Sequence, residues 1–307
     1  MSARQTPHLA GAHEPAALDR SLDAELHALH AAGLYRSRTC IDDKQGARIR
    51  VGGHEFISFA SNDYLGLAAH PSIIAAAREG AERYGVGAGA SHLLYGQSRA
   101  HEALEAALAR FVGYPAALLF SSGYMANLGV VTALCGRDDE VFADKLNHAS
   151  LIDAMLLSRA RFRRYPHLDL DRLEESLRAS RARRKLVVTD AVFSMDGDLA
   201  PVPQLLLLCE RHDALLLLDD AHGFGVLGAQ GAGILAHFGV ASRRIVYMGT
   251  LGKAAGVYGA FVAADTALIE LLINRARSYI YTTATPPLLA VALMESLAIV
   301  AAESWRR

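Results

Sequence analysis

The chain has 307 residues, 52% of them hydrophobic, enough to bury a large core in one large domain or two. Its 31 basic and 32 acidic residues nearly cancel, so there is no global basic field for nucleic acid and no acidic tail. Cys40, Cys135 and Cys209 are widely spaced and form no CxxC pair, which argues against a disulfide framework or a zinc site. Cys135 and Cys209 sit in apolar helical contexts as core fillers, and the reduced cytosol is the expected compartment. The polar N-terminus predicts no signal peptide.

Residues 15–34 carry a helical period that stops at Gly33. The stretch TCIDDKQGARIRVGGHEFISFA (39–60) reads as short strands with a turn at Gln45–Gly46. Helices are then predicted near 72–84, 99–112, 123–134, 150–158, 169–179 and 203–211. They alternate with the short apolar runs AALLF (116–120), KLVVTD (185–190), ALLLLDD (214–220), RIVYMG (244–249) and YGAFVAA (258–264). RFRR (161–164) and RARRK (181–185) read as solvated helix ends or loops. PPLLAVALMESLAIVAA (286–302) contains Glu295 and is shorter than a span of about 20 residues, so it reads as a buried helix.

Continuous apolar runs suit strands buried on both faces, and helices between them imply crossovers and an α/β fold with a mostly parallel sheet. Ligands of such sheets bind beyond the carboxyl ends of the strands. Polar and glycine residues cluster there. LLLLDD ends in Asp219 and Asp220 with His222 close behind, LVVTD leads into AVFSMDGD, ALLF into SSGY, and RIVYM into GTLGKAAG.

One lysine, Lys253, sits among the small residues of GTLGKAAG. A Walker A loop needs four residues between Gly and Gly-Lys, then Ser or Thr. Here two residues intervene and Ala254 follows, so the pattern fails twice. A covalent anchor fits better than a solvated loop lysine. Small apolar surroundings lower an amine's pKa by desolvation, and the glycines and alanines leave room for a flat ring. Pyridoxal 5'-phosphate (PLP) held this way also needs a carboxylate for its ring nitrogen, N–H donors for its phosphate and packing on its faces. Asp219 or Asp220 can supply the first, and spacing alone does not choose between them. SSGYMAN, opening a helix after a strand, can supply donors at Gly123 and Tyr124. His148 in NHAS can stack on a ring or cap a helix. Ser194 in FSMDGD can reach a ring hydroxyl or serve a turn.

SNDYLGL (61–67), SSGYMAN (121–127), NHAS (147–150), FSMDGDLAP (193–201), DDAHGFGVLG (219–228), GTLGKA (249–254) and YTTATPP (281–287) together resemble the α-oxoamine synthases in kind and order. The resemblance covers nearly the whole chain from about residue 20. It implies the PLP-transferase fold type I, homodimers with a shared active site, and no nucleic-acid or membrane partner. It implies Lys253 as the Schiff-base lysine, Asp219 as the partner of the pyridine nitrogen, and His148 stacked on the ring, with all three catalytic. His222 and Ser194 lie near the ring hydroxyl, Gly123 and Tyr124 cradle the phosphate, and Thr250 adds a phosphate contact. Asn62, Arg36 and His148 are the implied substrate contacts, and Thr282 or Thr283 reaches the neighbour's cofactor. SNDYLGL and GVGAGASHL (85–93) point within the family to the member of biotin biosynthesis, which condenses L-alanine with a pimeloyl thioester. Other members of the family are the alternative, as is an inactive PLP-binding fragment.

Family members usually run further, into a small C-terminal domain with a carboxylate-binding arginine. The expected organisation is therefore an N-terminal helix and strands over 1–55, a PLP-binding domain over 56–285, and the start of a linking helix over 286–307, with the small domain largely absent. His92 sits one position away from a histidine of some relatives and is given no catalytic role.

Overall fold

The computed structural model describes residues 17–307. The expected helix start at residues 15 and 16 lies outside the described residues. The described residues form two compact units, one holding 17–42 with 50–55, the other 43–49 with 56–307.

The first unit carries α1 (Ala17–Ala31). Leu18, Leu22, Leu26 and Leu29 recur at helical spacing on it and are exposed. β1 (Arg48–Val51) and β2 (His54–Ile57) form a two-stranded sheet. Its turn is at Gly52–Gly53, not at the expected Gln45–Gly46. Both glycines have positive φ, +55° and +80°, as a two-residue hairpin turn of right-handed strands demands.

The second unit runs in order through α2 (Pro71–Tyr84), α3 (Arg99–Val112), β3 (Ala116–Phe120), α4 (Gly123–Leu134), β4 (Glu140–Asp144), α5 (Ala149–Ser158) and β5 (Arg161–Tyr165). It continues with α6 (Leu170–Ala179), β6 (Lys185–Asp190), α7 (Val202–Arg211), β7 (Ala214–Asp219), α8 (Ile234–Phe238), β8 (Ile245–Thr250) and β9 (Ala260–Ala264). α9 (Thr266–Arg275), α10 (Arg277–Ile280) and α11 (Pro287–Ala302) complete it. Seven strands form one sheet in the order β3-β9-β8-β7-β6-β4-β5. β9 pairs antiparallel with both its neighbours, and the remaining pairs are parallel.

Alternate strand residues enter opposite cores. Leu216 and Leu218 pack with α3, α6, α7 and α11, while Leu217 packs with α4, α5 and α9. Both faces of the sheet are therefore covered, which is why its central strands read as unbroken apolar runs. α2 lies directly against α11. A Cβ on Gly80 would sit 2.8 Å from the Leu288 Cα.

RFRR differs from the expectation of a solvated helix end or loop, because it is most of β5. This is an edge strand whose Arg161, Phe162, Arg163 and Arg164 are exposed and whose Tyr165 is buried. Charged side chains on an edge blunt its tendency to pair with another chain, so they do not mark it as loop. β4, fully buried, falls outside the expected runs because Glu140 and Asp144 at its ends mask a short apolar core. The 286–302 segment is the buried helix expected of it, and among the described residues no helix is long and apolar enough to cross a membrane.

Candidate active site

Parallel pairing brings the carboxyl ends of β6, β7 and β8 side by side, with Asp190 opposite Asp219 and Asp219 opposite Met248. A cavity of about 160 Å³ opens there. Gly123, Tyr124, His148, Ser194, Asp219, His222, Thr250 and Lys253 all line it. Asp190, Ser150, Ala221 and Met248, which strand-end reasoning did not single out, complete the wall.

Lys253 Nζ lies 2.6 Å from His222 Nε2. His222 Nδ1 lies 2.6 Å from the Tyr64 hydroxyl, which donates to Asn62 Oδ1 at 3.0 Å. A neutral imidazole satisfies this row: Nζ donates to Nε2, Nδ1–H donates to the Tyr64 oxygen, and the phenol proton passes to Asn62. Burial, with the neighbouring Lys253 and His148 charges adding, depresses His222 to about 4, which agrees with that neutral form. Burial also lowers the pKa of Lys253, against the pull of Asp219 and Asp190.

The two adjacent aspartates part ways. Asp220 turns inward and accepts from Ile234 N at 2.7 Å and from the Tyr247 hydroxyl at 2.8 Å. Asp219 turns to the cavity. It accepts from Asn127 Nδ2 at 2.6 Å and Ala221 N at 3.0 Å. Burial raises its pKa although both donors oppose it. Asp190 is pushed up to about 8 by burial and by Asp219 beside it. Two buried carboxyls at adjacent strand ends want a cation.

His148 caps α5, where Nδ1 accepts from Ser150 N at 3.2 Å and from the Ser150 hydroxyl at 2.8 Å. Asp190 fixes its backbone by accepting His148 N at 2.7 Å. At the start of α4, Ser122 takes the Met125 and Ala126 amides, so the first-turn donors left for a ligand are those of Gly123 and Tyr124. The Tyr124 hydroxyl itself donates to Asp153. Thr250 Oγ1 donates to Gly259 O and accepts from Gly252 N. Arg36 is exposed in the first unit. His92 is buried, stacked on Tyr279 and bonded to Gln97, which accounts for it as a structural residue. Thr283 bridges to Ser91.

Residues 54–307 match the family model for aminotransferase class I and II. The 8-amino-7-oxononanoate synthase of Nitrosospira multiformis is 66% identical over 289 residues, which are 94% of this chain and 73% of that protein. The chain belongs to the 8-amino-7-oxononanoate synthase family. The synthase of this family from Francisella tularensis has a solved structure that superposes with a TM-score of 0.70 at 35% identity, covering 80% of this chain and 69% of that one. A serine palmitoyltransferase from S. paucimobilis, solved with a bound PLP–myriocin aldimine, reaches a TM-score of 0.85 at 30% identity, covering 92% of this chain and 74% of that one.

The cofactor of this synthase family is PLP, and the residues present fit it. A desolvated amine and a buried carboxylate with only neutral donors on it face one cavity. The helix start beside them has amides to spare for a phosphate. A protonated ring nitrogen would supply a cation of the kind that this carboxyl pair calls for.

Proposed function

We propose that the chain joins L-alanine to a pimeloyl thioester, the CoA or carrier-protein form, giving 8-amino-7-oxononanoate, the free thiol and CO₂ in biotin biosynthesis. The carrying observation is the 66% identity to the Nitrosospira synthase across 94% of the chain, with the strand-end residues gathered in one cavity in support. In the net reaction a proton leaves the alanine Cα and a carbon–carbon bond forms to the thioester carbonyl. The thiolate departs, the alanine carboxylate is lost as CO₂, and a proton returns to the same carbon.

Bound PLP supplies an electrophilic carbon for an amine and an electron-withdrawing ring that acidifies the amino acid Cα–H. Lys253 is the amine. Its burial favours the neutral form, and His222 Nε2 accepts an Nζ proton and aims the lone pair. As a free amine, Lys253 would take the Cα proton as general base. Asp219 holds the proton on the ring nitrogen, with Asn127 and Ala221 N fixing the carboxylate. The His148 ring would cover one face of the cofactor. Ser194 and His222 address the ring hydroxyl, and Gly123 N, Tyr124 N and Thr250 address the phosphate. Arg36 and Asn62 bind substrate.

The enzyme works as a cytoplasmic homodimer, with residues 281–287 reaching the neighbour's cofactor. Exposed Leu94, Tyr95 and Tyr281 and free cysteines support that setting. Residues 1–55, 56–285 and 286–307 remain the proposed division, the second holding every cavity residue.

Thiol release from pimeloyl-CoA with L-alanine tests the function, run beside glycine and serine with acetyl-, succinyl- and palmitoyl-CoA. Turnover is expected with alanine and pimeloyl-CoA. Preference for another pair reassigns the chain within the wider family, and a PLP spectrum without any turnover removes the enzymatic reading.

A further inference from the structure

His167 lies outside the cavity, in the turn from β5 to α6, and the reaction as derived above does not use it. Its ring nitrogens face two carboxylates. Nδ1 is 3.0 Å from Asp144 Oδ1, and Nε2 is 3.1 Å from Asp198 Oδ2. Asp144 ends β4, is buried, and is anchored by the amides of Leu146 and Leu168, each at 2.8 Å. Asp198 belongs to the loop that follows β6, and that loop carries Ser194 to the cavity. The loop closes on itself through Phe193 N to Asp198 O at 3.0 Å and Gly197 N to Phe193 O at 2.8 Å. Buried Phe193, in the same loop, meets the His167 ring edge to face at 4.5 Å.

Ionised carboxylates only accept hydrogen bonds, and a neutral imidazole has a single N–H. Serving both aspartates requires the cation. We propose that His167 is a positioning residue, an imidazolium clamp that ties the Ser194-bearing loop to the end of β4 and so sets the rim of the cofactor cavity. The assignment of Ser194 to the cofactor rests on the function proposed above, whereas the clamp itself does not.

The titratable groups facing the ring are Asp144 from β4 and Asp198 from the loop. Burial lowers the imidazole pKa, but the two carboxylates outweigh it, so the net direction is upward. A raised histidine pKa stabilises the clamp below the ordinary value near 6.5, and the clamp is lost as pH rises through the folded-state value.

Hydrogen exchange of the Phe193 and Gly197 amides, corrected for the chemical rate, tests this on the full chain without PLP. Protection is expected to fall by about tenfold from pH 6 to pH 9, the scale of one charge-assisted hydrogen bond at a half-exposed site. His167→Gln should start loose and show no such step. Asp198→Asn, at an exposed carboxylate, should behave alike and serves if His167→Gln folds poorly. Exchange in both variants equal to the wild type at every pH overturns the clamp. PLP titration by absorbance, on the same variants and on Ser194→Ala, separates the two readings. Weakened binding in His167→Gln and in Ser194→Ala, with no further loss in the double variant, supports both. Loosened amides with unchanged PLP affinity in every variant keep the clamp and remove Ser194 from the cofactor.

Discussion

Adjacent Asp219 and Asp220 are the same residue type with opposite employment. Asp219 faces the cavity on neutral donors, so Asp219→Asn keeps the shape and loses the charge proposed to hold a ring proton. PLP should still bind, while turnover falls by about 10²–10³, the cost of removing one preorganised electrostatic contact. Steady-state kinetics beside a PLP absorbance titration checks this, and undiminished turnover would remove Asp219 from the chemistry. Asp220→Ala should do the reverse. It orphans Ile234 N and the Tyr247 hydroxyl at about 1–3 kcal/mol each, read as a lower denaturation midpoint, with the PLP spectrum retained. Lys253→Ala should abolish the borohydride-reducible PLP chromophore and cut turnover by at least about 10²–10⁴, the range for losing a general base. A surviving reducible chromophore would place the covalent anchor on another lysine.

At the scale of elements, the parallel sheet made most of the site legible. Apolar runs that form parallel strands bring their polar ends together, which points to Lys253, Ser194, Gly123 and one of the Asp219–Asp220 pair, while the choice of Asp219 rests on the family resemblance. Asp190 ends KLVVTD by the same logic and is in register with Asp219, but a single aspartate at a strand end is weaker as a signal than the FSMDGD motif after it. Asn127 left a fainter signal, a lone amide inside an otherwise apolar helix, where its side chain gains nothing unless it has a partner across the fold. Tyr64 could not be read at all, because its partner His222 is 158 positions away. β5 was hidden by its arginines, which an edge strand tolerates and a central one does not. The contact of α2 with α11 was equally invisible. Gly80→Ala would raise helix propensity by about 1 kcal/mol, but the new Cβ meets the Leu288 backbone at 2.8 Å. Backbone cannot swing aside as a side chain can, so a net loss of about 1–3 kcal/mol is expected. A denaturation midpoint at or above the wild type would show that the two helices part freely.

For the molecule as a whole, the buried titratable groups set a pH optimum for stability. Burial raises Asp190 to about 8, Asp220 to about 7 and Glu105 to about 7, and it raises Asp219 as well. Such a carboxyl keeps its proton in the folded chain after the unfolded chain has released it near pH 4, so stability falls as pH climbs from there toward 8. Raised His167 works in the same direction. His92, His101 and His222 oppose them, since burial lowers all three and their stability is lost as pH falls below about 6.5. Above about pH 6.5 the histidines no longer oppose the carboxyls, so the melting temperature of the PLP-free chain should decline from there to about pH 8. Asp190→Asn, neutral throughout, should flatten that decline. PLP at saturation should raise the melting temperature more at pH 9 than at pH 6, because the proposed ring-nitrogen cation would offset the repulsion of a carboxyl pair that is ionised at the higher pH. Scanning calorimetry of both proteins, with and without PLP, reads all three effects. A decline equally steep in Asp190→Asn would mean that the Asp190–Asp219 pair does not govern alkaline stability, and a PLP shift independent of pH would mean that the cofactor does not neutralise it.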